Sequence, residues 1–144
     1  MKRTLFFFFV TSLLVATLAC EEALEKGSLS GNVKRNNQNV NGAFVLLLEE
    51  GQLLVGEQPL SNGSLTNSSG NYTILLVEPD KYFYVAAVKD EDGDTKYTPG
   101  IDPIGYYGTY NEITKQWIPS SVKIGSGEEK KGIDVKNMYI IPIP

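Results

Sequence analysis

Apolar residues follow two different patterns along this 144-residue chain. Residues 5–18 form one stretch of mostly apolar positions that contains no charged residue. From residue 28 onward, apolar residues occur in short runs, which glycine, asparagine, serine and charged positions separate. Short alternating runs bounded by turn residues are typical of β-strands. The pattern therefore predicts an N-terminal apolar segment followed by an all-β domain.

The short runs predict about seven strands after residue 28. They cover 29–33, 43–49, 71–77, 81–88, 121–124 and 133–140, with weaker candidates at 52–55 and 64–66. Alternation in the third run predicts that Tyr72, Ile74 and Leu76 share one face. We find no convincing helical pattern after residue 20. Strands of this number and spacing predict an antiparallel β-sandwich of immunoglobulin-like architecture.

Turn residues separate these runs. The asparagine-rich stretch 36–39 and the pair Asn41-Gly42 are expected to form the first turn, because Asn-Gly is a strong hairpin signal. Residues 125–132 are expected to form the last turn. Between residues 90 and 119 the sequence predicts a long polar and aromatic excursion from the sandwich.

The first nineteen residues have the organisation of a signal peptide. Lys2 and Arg3 give a basic start, and the uncharged apolar stretch follows. A membrane-spanning helix needs about 20 apolar residues, whereas this stretch ends at Cys20, before a charged segment. We therefore expect a signal peptide at 1–19, a tether at 20–27 and a β-sandwich domain at 28–144.

The segment Ala16-Thr17-Leu18-Ala19-Cys20 resembles the lipobox of bacterial lipoproteins. The resemblance implies cleavage between Ala19 and Cys20, with lipid attached to the Cys20 thiol. An ordinary signal peptide cut near Ala19 is the less favoured alternative, because the only cysteine of the chain lies where the motif needs it. Several acyl chains give a stable membrane anchor. We expect a cell-envelope protein on the outer membrane, at the cell surface or on the periplasmic side.

The composition of the mature part excludes several function classes. Residues 20–144 keep all 17 acidic residues and lose only Lys2 and Arg3 of the 13 basic ones, which gives a net charge of −6. An acidic surface repels phosphate backbones, so we expect no nucleic-acid partner. The chain has no histidine, and its only thiol is the lipidated one. An internal disulfide, a histidine base, a cysteine nucleophile and a histidine-ligated metal are therefore excluded.

Four segments carry a family resemblance: Leu29-Ser30-Gly31-Asn32-Val33, Asn41-Gly42-Ala43-Phe44-Val45, Gly70-Asn71-Tyr72-Thr73-Ile74 and Pro79-Asp80-Lys81-Tyr82. In this order they resemble carboxypeptidase regulatory-like domains, over residues 28–88. The resemblance implies a transthyretin-like sandwich that is mostly non-catalytic and has no defined ligand. Tyr72 and Tyr82 are the large side chains expected to face inward.

Alternating aspartates follow the strong run 81–88. Their spacing matches the first five positions of calcium loops of the EF-hand and dockerin kind, in which alternating carboxylates converge on one ion. Position six is Thr95 instead of glycine, and the glutamate of position twelve is absent. The candidate calcium ligands are Asp90, Asp92, Asp94 and Asp102.

A plain solvated loop is the alternative for this acidic segment. Aspartate and glycine favour turns without any metal, and Lys89 and Lys96 offset part of the negative charge. Both interpretations stay open on the sequence. Bound calcium is expected to rigidify the loop, since no catalytic group is evident beside it.

Aromatic residues crowd the excursion that follows: Tyr106, Tyr107, Tyr110 and Trp117. Exposed rings on a sandwich loop stack on sugars, which would make a carbohydrate-binding module. Apolar cover for the open end of the sandwich is the favoured alternative, because large aromatic side chains are usually at least partly buried.

Two function classes therefore remain. The favoured one is a non-catalytic envelope module that binds a protein or glycan partner or supports a surface assembly. The second is a hydrolase with paired carboxylates from the acidic loop. It is disfavoured because an acid–base pair needs one carboxyl in an apolar pocket that raises its pKa, and the acidic segment is hydrophilic.

Overall fold

The computed structural model describes residues 26–52, 58–60 and 63–142. These residues form strands, turns and irregular segments, with no helix among them. Within the described ranges, therefore, no apolar helix reaches membrane-spanning length. The expected signal peptide, Cys20 and most of the tether lie outside these ranges, as does most of the strand candidate at 52–55. The prediction of an all-β domain is confirmed.

The strands of the described part are short, from two to seven residues. In chain order they are β1 (Gly27–Asn32), β2 (Lys34–Arg35), β3 (Gln38–Asn39), β4 (Phe44–Leu48), β5 (Gln58–Pro59), β6 (Ser64–Leu65), β7 (Asn71–Val77), β8 (Tyr82–Val88), β9 (Lys96–Tyr97), β10 (Pro103–Tyr106), β11 (Gly108–Asn111), β12 (Gln116–Pro119), β13 (Ser121–Lys123), β14 (Glu129–Lys130) and β15 (Tyr139–Ile140).

Two main sheets build the sandwich. The smaller has the order β14-β1-β7, and the larger has the order β15-β10-β8-β4-β6, with β13 also paired to β8. Pairing is antiparallel throughout both sheets except between β1 and β14, which run parallel. Two-stranded ribbons join β2 to β3, β5 to β9 and β11 to β12. The structure therefore confirms a mainly antiparallel sandwich.

A core cluster lies between the two sheets. Along β8, Phe83, Val85 and Ala87 contribute to it, while Ala86 and Val88 pack on the opposite face of the sheet. Strand β8 is thus buried on both faces, which explains its nearly continuous apolar sequence. The inter-sheet cluster consists of Leu29, Val33, Ala43, Val45, Tyr72, Val77, Phe83, Val85, Ala87, Val122, Ile124, Ile133, Val135 and Met138.

The segment expected as an excursion, residues 90–119, contributes four strands instead. Strand β10 is completely buried and hydrogen-bonds to β8 inside the main sheet. Its short sequence, Pro-Ile-Gly-Tyr, shows no alternation that would identify it as a strand. Gly105 is required at its centre, because a β-carbon there would clash with the Asn137 carbonyl oxygen. The prediction of an excursion was wrong for β10, because pairing with β8, and not the local sequence pattern, makes this segment a strand.

The closing strand expected at 133–140 is also different in the structure. Only Tyr139–Ile140 forms a strand, and β14 lies within the stretch expected as the last turn. Residues Ile133 and Val135 instead run parallel to β1, with their amides donating to the carbonyls of Ser30 and Asn32 at 3.1 and 2.9 Å. The side chains of Ile133 and Val135 are both buried, as the predicted alternation requires.

Strand β7 departs from simple alternation near its end. Its register with β1 pairs Leu29 with Ile74 and Gly27 with Val77, so three steps along β7 oppose two along β1. The extra residue is a β-bulge. Tyr72 is buried as predicted, but Leu76 faces solvent and Val77 takes the inward position. The expected shared face of Tyr72, Ile74 and Leu76 was wrong because of this bulge.

Two further sequence expectations need correction. Tyr82 was expected inside, but it is 61% exposed at the start of β8. The hairpin in the first turn region is closed by Asn36 and Asn37, whose φ angles of 53° and 62° suit a type I′ turn. The Asn41-Gly42 pair instead leads into β4, which pairs with β6 and β8 and not with β3.

The buried phenol of Tyr72 joins the closing segment to the smaller sheet. Its hydroxyl donates to the Ile133 carbonyl oxygen at 2.6 Å. Burial, with a smaller contribution from Asp134, raises the pKa of Tyr72, so the phenol remains a donor across the physiological range. This bond secures the parallel segment to the sandwich.

Replacing Tyr72 by phenylalanine should therefore destabilise the domain. We expect Y72F to lower the free energy of unfolding by about 1–3 kcal/mol, because a buried carbonyl loses its donor. Urea denaturation measures this change. The matched variant Y82F removes an exposed hydroxyl and should leave the unfolding midpoint unchanged, and equal effects from the two variants would contradict the assignment.

Candidate functional site

The acidic loop begins where β8 ends, and the end of β9 lies beside it. Asp90 and Asp92 belong to this loop, while Asp102 stands directly before β10. One carboxylate oxygen from each of the three lies within 4.8 Å of the others. Calcium binds oxygen at 2.3–2.6 Å, so two ligands on opposite sides of one ion are about 5 Å apart. The three carboxylates are therefore close enough to share a single ion.

Backbone amides position two of these carboxylates. The oxygens of Asp102 accept from the amides of Glu91 and Thr98, each at 2.8 Å. Asp90 accepts from the amides of Gly93 and Thr95 at 2.6 and 2.9 Å. Asp102 is fully buried, and among the described residues no lysine or arginine forms an ion pair with either carboxylate. A buried charge of this kind is normally balanced by a partner or a metal.

The fourth sequence candidate, Asp94, is not part of the convergent group. One of its oxygens accepts from the Lys96 amide at 2.8 Å, which closes a local turn. Thr95 occupies the position of the usual glycine, and its φ of 63° is the left-handed conformation that glycine normally supplies. The structure therefore brings together Asp90, Asp92 and Asp102 and leaves Asp94 outside.

The charges of the loop act on one another. Desolvation opposes ionisation of Asp90, but the amides of Thr95 and Gly93 hold its pKa below the ordinary value. Partial desolvation and the neighbouring carboxylates of Asp94 and Asp102 raise the pKa of Asp92. A raised carboxyl pKa means that ionised Asp92 disfavours the folded state as the pH rises through that pKa. A bound cation would reverse this effect.

Among the described residues, neither of the lysines expected to offset the loop charge, Lys89 and Lys96, forms an ion pair. The Lys89 ammonium donates to the Gly42 carbonyl oxygen at 3.5 Å. Arg35 does pair with the loop, because its guanidinium contacts the Glu91 carboxylate at 3.0 Å. This ion pair joins the acidic loop to the β2–β3 ribbon.

The aromatic candidates pack on one another. Tyr110 stacks on Tyr139 with ring centroids 3.9 Å apart, and Trp117 lies edge-on to Tyr106, Tyr110 and Tyr139. Tyr106 is buried, and Trp117 packs against the outer apolar cluster of the larger sheet. Tyr107 packs against the inter-sheet core. The rings thus form part of the apolar cover of the sandwich, while Tyr107, Tyr110 and Trp117 remain half-buried.

A polar concavity that the sequence did not reveal lies at the far end of β1. Its volume is about 680 Å³, within the range of small-molecule sites. The lining residues are Asn32, Lys34, Asn37, Asn39, Ser69, Asn71, Asp134, Val135 and Lys136. Asparagines near 36–39 gave a hint of it, but only the fold brings segments 32–39, 69–71 and 134–136 together.

Hydrogen bonds hold the wall of this concavity in place. The Asn32 side-chain amide donates to the Ser69 carbonyl and to the Asn71 side chain at 2.8 and 2.9 Å. The Asn32 backbone amide donates to Asp134 at 2.9 Å. The Asn32 side-chain oxygen is buried and has no hydrogen-bond partner within the described residues. A buried acceptor of this kind normally needs a water or ligand donor.

No family model matches the chain, and neither the curated proteins nor the solved structures include a match. The lipobox and the resemblance to carboxypeptidase regulatory-like domains therefore remain predictions.

Calcium should stabilise the folded domain through the three convergent carboxylates. We expect the melting temperature to rise with calcium and to return with chelator. An ion that binds only the folded state adds about 2.7 kcal/mol at a hundredfold excess over its dissociation constant. D92A should abolish the increment and leave the metal-free melting temperature similar or higher, because a like charge is removed.

Asp94 provides the matched control for this experiment. D94N keeps an oxygen to accept from the Lys96 amide, and its carboxylate lies outside the convergent group. Its calcium-dependent shift should therefore remain close to that of the unchanged chain. Absence of any shift at millimolar calcium, together with no heat in titration calorimetry, would identify a plain solvated loop.

Proposed function

We propose that the chain is a non-catalytic lipoprotein of the cell envelope, anchored through Cys20, which presents a binding surface at the end of the sandwich remote from the membrane. The observation that carries this proposal is the course of β1. The strand starts at Gly27, directly after the tether, and ends at Asn32 in the wall of the polar concavity. Six residues of strand span about 20 Å, so the concavity lies well away from the anchor.

The acidic loop lies at the same remote end. Strand β7 ends at Val77 beside Gly27, a short turn leads to Tyr82, and β8 then runs away from the tether to Val88. Calcium held by Asp90, Asp92 and Asp102 would order this loop. The ion pair between Glu91 and Arg35 would transmit that order to the ribbon that lines the concavity. The metal has a structural role in this proposal.

A hydrogen-bonding ligand such as a glycan suits the concavity best. Its walls offer amides, a hydroxyl, a carboxylate and two ammonium groups, with Val135 as the one apolar side chain. Sugars present hydroxyl groups that both donate and accept hydrogen bonds, and side-chain amides do the same. The stacked rings of the β11–β12 region do not contribute to this proposed glycan site.

The geometry gives less support to a carboxylate hydrolase. Such an enzyme needs one carboxyl held in an apolar pocket beside a second, ionised one. Asp92 is exposed, and the pKa of Asp90 is lowered instead of raised. Both oxygens of buried Asp102 already accept backbone amides. The loop therefore lacks a carboxyl prepared to act as the general acid.

Membrane anchoring is tested directly at the cysteine. C20S should release the protein into the soluble fraction or leave it uncleaved, because the variant has no thiol to acylate. Cell fractionation with mass spectrometry of the N-terminus measures both results. A processed C20S chain that still fractionates with membranes would contradict the lipoprotein assignment.

Ligand capture tests the concavity. Lipidated protein serves as bait for glycan and protein fractions of native membranes, and the double variant K34S/K136S removes both ammonium groups from the concavity. We expect this variant to lose most of the captured material. K115S/K131S removes two exposed lysines outside the concavity as the control. Equal capture by both double variants would exclude the concavity as the binding site.

A further inference from the structure

The tether enters the domain beside the end of β7. Gly27, the first residue of β1, pairs with Val77, and the Lys26 ammonium lies 3.6 Å from the Glu78 carboxylate. Five residues separate Lys26 from Cys20, so a fully extended chain limits the distance between them to about 20 Å. Lipid on Cys20 would therefore hold this end of the sandwich close to the bilayer.

Two leucines project from the sandwich at this end. Leu75 is 68% exposed and Leu76 is 69% exposed, and they occupy the β-bulge that faces the start of β1. Leu76 has a φ of 57°, a left-handed conformation that bulky residues rarely adopt. Alternation along β7 already points Leu75 outward, and the bulge turns Leu76 outward as well and returns Val77 to the core. Without it, Leu76 would face inward beside Ile74.

The surroundings of the leucines suit an apolar surface. They border a concavity of about 340 Å³ whose apolar lining includes Leu47, Ile74 and Phe83. The charges nearby are balanced in pairs: Lys81 contacts Glu49 and Glu78, Lys26 contacts Glu78, and Lys123 contacts Asp80. Tyr82 lies exposed at the same end, with the Lys123 ammonium 5.8 Å from its ring centroid. Tyrosine is enriched where membranes meet water.

We propose that Leu75 and Leu76 insert into the lipid boundary and fix the orientation of the domain on its membrane. The inference rests on the lipid anchor of the proposed function. The length and exit point of the tether select lipid as the occupant, because the anchor draws this end of the sandwich toward the bilayer. Several acyl chains already give stable attachment, so the two leucines would set the orientation of the domain and not its attachment. The polar concavity then faces away from the membrane.

A fluorescent probe at the bulge tests the insertion. In the lipidated protein the Cys20 thiol is acylated, so a cysteine introduced by L75C is the single labelling site for a polarity-sensitive dye. In vesicles of neutral phospholipid we expect its emission to shift to the blue and lipid-borne quenchers to reduce it. I113C is the matched control, because Ile113 is 94% exposed. Its neighbour Glu112 accepts from the Tyr139 hydroxyl, which places this turn toward the Val88 end of the sheet. The probe at position 113 should remain in water.

A second measurement avoids the label at the bulge. Energy transfer from Trp117, the only tryptophan, to an acceptor lipid reports how closely the domain lies to the bilayer. L75Q/L76N should lower the transfer, and I113N should not change it. Asparagine accepts the left-handed conformation at position 76, so this variant retains the bulge.

The outcomes separate the two proposals. A chain shown by mass spectrometry to carry no lipid removes both the anchor and the insertion. A lipidated chain whose probe at position 75 stays in water, with transfer unchanged in L75Q/L76N, overturns the insertion alone. The same probe is also measured in unlipidated C20S protein without vesicles. A blue shift there that grows with protein concentration would identify a second copy of the chain as the occupant. That result would also overturn the insertion.

Discussion

Strand β8 is the constraint on which the rest of the structure depends. One edge pairs with β4, and the other pairs first with β13 and then with β10. Both faces are buried, one against the smaller sheet and the other under the outer apolar cluster. Because both of its edges are paired and both of its faces are covered, β8 can occupy only one position in the fold. The direction of β8 consequently decides which loops meet at each end of the sandwich.

The two ends of the sandwich differ in chemistry. The end beside the tether carries the leucine bulge, Tyr82 and charges balanced in pairs. The remote end carries the acidic loop and the polar concavity. Because β1 and β8 both run from the first end to the second, the proposed anchor and the proposed binding surface are separated by the length of a strand.

Asp102 is a buried side chain whose position makes it a candidate calcium ligand. Amides of Glu91 and Thr98 hold its two oxygens, so the side chain is ordered without a metal. The same bonds place it beside Asp90 and Asp92, at a separation that suits one calcium ion. The ion pair between Arg35 and Glu91 also connects this loop to the β2–β3 ribbon. The candidate ion site and the concavity are therefore parts of one connected surface.

The sequence by itself determined the class of fold, the strands at 71–77 and 82–88, and four candidate aspartates, of which the fold brings three together. These follow from local alternation and from carboxylate spacing, which need no long-range information. Tertiary structure alone decided β10, the bulge at Leu76 and the concavity around Asn32. Each of these depends on pairing between segments far apart in the chain, and a one-residue change of register reverses which side chains face the core. The local sequence pattern does not specify that register.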